Sequence, residues 1–144
     1  MWCDFHIFLE TKFIRFLVVY LSMFFNAQMV AYHGFIDGVS RHTQILGSAT
    51  WVIYSPTDEL ITSGGRCLGT MTNNVTEYQA AIGLMNQELS TGISHMVIHL
   101  DSQLVVPQLN GIYSICDPTL LRLFQRVHLL ERSFEFIRYH YVPR

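Results

Sequence analysis

Three carboxylates stand where elements of this chain are expected to begin or end. Asp37 closes a first strand, Glu77 opens a helix and Asp101 closes a later strand. In a sheet with parallel central strands, the carboxyl ends of those strands and the starts of the following helices share one rim, the usual place for a site. Three acids gathered there repel one another unless cations neutralise them. Hard oxygen donors with neither cysteine nor clustered histidine beside them select Mg²⁺ or Mn²⁺ rather than zinc.

Glu77 also has a local reading. In "TNNVTEYQAAIGLM" (residues 72–85), Asn74 reads as an N-cap and Glu77 as the N3 residue of a capping-box variant whose side chains satisfy free amide protons. On this stretch alone the capping account is preferred, and the ligand role is the alternative.

The elements that position these residues follow from periodicity. "MVAYHGFID" (29–37), ending at Asp37-Gly38, and "GSATWVIYS" (47–55) are rich in β-branched and aromatic residues. Pro56 suits a type I turn, so a third strand, Leu60 to about Leu68, returns antiparallel. Gly64 and Gly65 inside it imply a bulge or a close backbone approach. The helix of the quoted stretch presents Val75, Tyr78, Ile82, Met85 and Leu89 on one face and stops at Thr91-Gly92.

"HMVIHLD" (95–101) is apolar on both faces, as a covered central strand should be. Its alternation sets Asp101 on a face with His99, read as a partly covered histidine rather than a proton shuttle. "SQLVVPQLNG" is a short helix with Pro107 in its second turn, where it costs a hydrogen bond. Asp117-Pro118 caps a longer helix running to about Ser133. On it Leu120, Leu123, Phe124, Val127 and Leu130 face inward, while Arg122, Gln125, Arg126 and Arg132 form a solvated side. "FEFIRYHYV" (134–142) is the last strand. The fold class is α/β.

Composition bounds the partners. The 144 residues are 50% hydrophobic with net charge −2, and eight of nine basic residues are arginine, so nucleic acid is held by a local patch and not by bulk charge. Cys3, Cys67 and Cys116 are odd in number and far apart, against a zinc site or a disulfide framework and in favour of a reducing compartment. The run "FIRFLVVYLSMFF" (13–25) is short for a membrane span. It reads as a signal or anchor, as an extra core segment, or as unrelated sequence fused upstream, and the last is adopted here. The chain then divides into a 1–28 apolar extension and a 29–144 domain. Its expected location is intracellular, in cytoplasm or nucleus.

In order, "FIDG", "SPTDEL", "GGRCLGTMTNNVTEYQAAIGL", "LDSQLVVPQLNG", "DPTLL" and "YVPR" make the chain resemble the type 1 ribonuclease H family, and within it the plant and retroelement branch. The resemblance runs roughly from Val30 to Arg144. T-N-N-x-x-E followed by a strand ending D-S-Q is its most specific part. It implies a ribonuclease H-like fold with a mixed five-stranded sheet, strands 1–3 antiparallel and 4–5 parallel, flanked by helices. It also implies metal-dependent hydrolysis of the RNA strand of RNA/DNA hybrids. Asp37, Glu77 and Asp101 would be catalytic and would hold two ions, Mg²⁺ or Mn²⁺, with Asp37 between them. Gly38, Asn73, Asn74, Ser102 and Gln103 would meet the substrate. Capping geometry and a metal role are then compatible, since the helix start fixes the glutamate. A reverse transcriptase domain of a polyprotein is the implied partner, and a membrane is the less favoured one.

Members of the family continue past V-P-R with a turn bearing a fourth carboxylate and with a closing helix, whereas this sequence stops at Arg144. The domain is therefore expected to lack its final helix, and its chemical step to suffer more than its recognition. Three hypotheses follow: a hybrid-cutting nuclease, a catalytically impaired remnant that only binds nucleic acid, and a membrane-attached or secreted protein of unrelated role.

Overall fold

The computed structural model describes residues 14–24, 26, 30–41 and 46–143. Met29, Cys3 and the opening of the 1–28 extension lie outside the described residues. The elements are β1 (Tyr32–Arg41), β2 (Leu46–Tyr54), β3 (Leu60–Leu68), α1 (Asn73–Thr91), β4 (His95–Leu100), α2 (Val105–Leu109), α3 (Pro118–Glu131) and β5 (Phe136–Tyr141). The five strands form one sheet in the order β3-β2-β1-β4-β5. β1, β2 and β3 are antiparallel neighbours, while β4 lies parallel to both β1 and β5. This is the mixed sheet that the family resemblance implied.

One face of the sheet carries Ile36, Ile53, Met96, Ile98 and Leu100 into a core with Tyr78, Ile82, Leu84 and Met85 of α1 and Val127 of α3. These residues alternate with outward ones along each strand, as a sheet covered on one face requires. Trp51 of β2 is the spacer of this layer. A Cβ on Gly64 or on Gly83 would come within 2.5 Å of its ring, so the indole lies in a slot that only glycines on β3 and α1 leave open. The close approach read from Gly64 is therefore real, whereas the register shift of the β2·β3 pair falls at Ile53/Tyr54.

Two local expectations are corrected. Asp37 does not end its strand: β1 runs on to Arg41, because its ladder with β2 continues through Arg41↔Leu46. The N-cap of α1 is Thr72, whose hydroxyl accepts from the Val75 amide at 3.4 Å, so Asn74 is the second helical residue and Glu77 the fifth. The capping-box reading of Glu77 falls with it. The cause is tertiary, since Asn73 Oδ1 accepts from the Ser40 amide at 2.8 Å and holds that residue in the helix against β1. Pro107, the third residue of α2, costs the helical bond expected of it: Val106 and Gln108 donate to the Ser102 and Leu104 carbonyls at 3.3 Å, and the proline between them has no N–H for the Gln103 carbonyl.

Other signals stand as read. Gly92 ends α1 in the left-handed region at φ 80°. Asp117 caps α3 by accepting from Thr119 and Leu120 amides at 2.8 and 2.9 Å. Cys67 and Cys116 are free and exposed. Residues 14–24 are helical and largely exposed, with Phe24 touching Phe136 edge-on at 5.7 Å between centroids. Among the described residues no helix is long and apolar enough to cross a membrane.

Candidate active site

The site forms where two parallel strands part. The β1·β4 pairing runs from Tyr32↔Met96 to Phe35↔His99 and stops, after which β1 follows β2 alone. Asp37 and Asp101 each lie two residues beyond the last pair, so alternation sets both on one face at the mouth of the split. Glu77 arrives from the helix packed beside them. One oxygen from each of the three carboxylates lies within 4.8 Å of the others.

Glu77 is the buried member, at 4% exposure, and the strand beneath it explains why it stays there. Its Oε1 accepts a 2.9 Å hydrogen bond from the Gly38 amide. A Cβ on Gly38 would lie 2.4 Å from the Glu77 amide nitrogen and 2.6 Å from Thr76 Oγ1, so glycine is what lets β1 pass this close to α1. The Asp-Gly pair thus does two jobs. Asp37 supplies an acid, and Gly38 supplies the room and the donor that aim a second one.

The remaining sequence-singled residues flank this cluster. Asn73 ties the start of α1 to β1 through Ser40. Asn74 follows it in the first turn. Ser102 Oγ accepts at 3.0 Å from the amide of Val105, the first residue of α2. Gln103 is exposed and donates through Nε2 to Tyr141 Oη at 3.2 Å. Sequence reasoning missed Tyr141 as the side chain that steadies Gln103, and missed the packing role of Gly38. The only available signal for the latter was the Asp-Gly dipeptide itself.

A second feature was also missed. His99 is partly covered, as expected, but it has company: His33 and His140 stand on either side of it. Burial, with those two histidines adding to it, pushes its imidazole down to about 4. No histidine joins the three carboxylates, so the donor set at the split remains all-oxygen, as expected.

The donor set at the split suits a hard divalent cation. It consists of three carboxylates with one oxygen each within 4.8 Å of the others, one of them buried and oriented by a backbone amide. The family profile described as reverse transcriptase-like matches residues 35–144. The chain belongs to that family. It is 33% identical over 112 residues to ribonuclease HI of Halobacterium salinarum, covering 78% of this chain and 56% of that protein. A bifunctional protein of Mycobacterium tuberculosis is 31% identical over 98 residues, 68% of this chain and 26% of its own length. The chain therefore spans little more than half, or about a quarter, of these curated relatives.

Solved structures agree on the ribonuclease H fold. The crystal structure of Halobacterium salinarum RNase H1 superposes with a TM-score of 0.76 at 32% identity, covering 79% of this chain and 86% of that one. The N-terminal RNase H domain of the mycobacterial protein gives 0.75 at 28%, covering 80% and 84%. An RNase H1 named LC11, crystallised with an RNA/DNA hybrid, gives 0.74 at 23% identity and speaks to the fold alone.

Proposed function

We propose that this chain hydrolyses the RNA strand of RNA/DNA hybrids, using divalent cations, Mg²⁺ or Mn²⁺, held by Asp37, Glu77 and Asp101. The observation that carries the reading is the convergence of those three carboxylates within 4.8 Å at the β1·β4 split. Its setting supports it: the Halobacterium salinarum relative of the same fold is a ribonuclease H. Bound there, divalent cations supply Lewis acidity toward a phosphodiester. The chain's own part is orientation. The Gly38 amide fixes one oxygen of Glu77 and turns the carboxylate toward the two aspartates.

Asn73, Asn74, Ser102 and Gln103 are the proposed readers of the substrate. An RNA strand paired to DNA shows its 2′-hydroxyls in a wide, shallow groove, and neutral amides and hydroxyls read these without reading sequence. Descent from a retroelement, with a reverse transcriptase domain as former neighbour, belongs to the same proposal. The description of the matched family supports it, and the flanking genomic sequence tests it.

Purified chain with an end-labelled RNA/DNA hybrid and Mg²⁺ or Mn²⁺ should release RNA fragments while leaving duplex DNA intact. Glu77→Gln keeps an acceptor for the Gly38 amide but removes a charge, and should cut the rate by on the order of a thousandfold. Hybrid binding with no products from the native chain would overturn the nuclease reading and leave a binding remnant.

A further inference from the structure

His33, His99 and His140 form a row across β1, β4 and β5. The β4·β5 register sets His99 directly opposite His140, and the β1·β4 register sets His33 opposite Val97, one diagonal step from His99. Their ring nitrogens meet in order. His33 Nδ1 lies 3.0 Å from His99 Nε2, and His99 Nδ1 lies 3.3 Å from His140 Nδ1.

The two contacts differ in kind. The His33 and His99 rings are 25° from parallel with centroids 5.3 Å apart, the arrangement of an in-line N–H···N hydrogen bond. The His99 and His140 rings stand at 88°, and their nitrogens are further apart than a good hydrogen bond of this type prefers. That separation instead suits two ligands of one ion. Two nitrogens each about 2.0–2.1 Å from a tetrahedral metal ion lie roughly 3.3 Å from each other.

We propose that the Nδ1 atoms of His99 and His140 form a site for a tetrahedral borderline cation, Zn²⁺, for which Ni²⁺ and Cu²⁺ serve as probes, with His33 as a positioning residue behind it. In this site His99 binds metal through Nδ1 and keeps its proton on Nε2, which donates to His33 Nδ1. That is the outer hydrogen bond by which metal-bound histidines fix their tautomer and ring angle. Phe35 stacks on the His99 ring at 4.6 Å and 15°, which restrains it further. All the ligands and their supports stand on paired strands, and the exposed side of His140 admits an ion.

The same recess holds Arg138, whose guanidinium lies 4.7 Å above the Phe24 ring. Imidazole nitrogen selects late first-row ions and carboxylate oxygen selects Mg²⁺, so the two sites divide cations by donor chemistry. The proposal does not rest on the nuclease reading.

The test uses the full chain with excess Mg²⁺, titrated with Ni²⁺ by calorimetry and with Cu²⁺ by electron paramagnetic resonance. The native chain should show nitrogen hyperfine structure from two imidazoles. His140→Gln, at an exposed position that leaves the fold intact, should weaken Ni²⁺ binding tenfold or more and simplify the copper spectrum. His33→Ala should weaken it by about 10–100-fold while retaining both coordinating nitrogens. His128→Gln, on α3, should change neither readout. Unaltered Ni²⁺ affinity in His140→Gln, or a copper spectrum with oxygen ligands only, would overturn the proposal.

Discussion

Glu77 and Glu88 lie on the same helix, 11 residues or close to three turns apart, and are exposed to only 4% and 0%. Their surroundings differ. Glu77 receives a backbone amide and faces two aspartates at the mouth of a split in the sheet. Neither oxygen of Glu88 has a hydrogen-bond partner among the described residues, and burial pushes its carboxyl up from 4.5 to about 7. A buried acid at the site is thus served by a donor and held for use, whereas a buried acid in the core is driven toward its neutral form.

The largest test of this contrast is the pH dependence of stability. Glu88 binds its proton more tightly folded than unfolded, so its stabilising contribution is complete below about 4.5 and is lost as pH rises through about 7. The loss should reach roughly 3 kcal/mol at pH 8. Chemical denaturation across that window should show the decline in the native chain and a flattened profile in Glu88→Gln. A profile unchanged by the substitution would remove the contrast. Next is Gly38→Ala, which sets a methyl group against the backbone of α1 and should cost about 2 kcal/mol by overpacking. Because it also displaces the donor of Glu77, hybrid cleavage should fall with stability, a coupling that Glu88→Gln should not show.

The smallest expected effect concerns metal. Mg²⁺ at ten times its dissociation constant should stabilise the native chain by about 1.4 kcal/mol. Calorimetric melting should show that gain persisting in Glu88→Gln and shrinking in Asp37→Asn. Equal gains in both variants would place the stabilising cation elsewhere.

What the sequence made legible was local chemistry. The Asp117-Pro118 cap, the Gly92 stop and the alternation of β2 follow from bonds and packing within a few residues, and they appear where expected. Asp37, Glu77 and Asp101 could be singled out as acids beside apolar runs, although only Asp101 proves to stand just past the end of its element. The misreadings arose where distant strands decide. β1 outran Asp37 because β2 pairs with it for four further residues. Asn74 lost the N-cap because Ser40, 33 residues before Asn73, engages that neighbour. The histidine row depends on registers between parallel strands, which no local pattern encodes. Glu88 escaped notice because the inward face of α1 was traced through apolar residues alone, although it lies three positions past Met85 on the same side.

The slot that holds Trp51 between Gly64 and Gly83 has an optical consequence. An indole at 8% exposure emits at short wavelength, and lifting α1 even slightly would wet it and shift the emission red. The distance between helix and sheet, on which the aim of Glu77 depends, can therefore be followed by intrinsic fluorescence in a Trp2→Phe chain, where Trp51 is the one indole left.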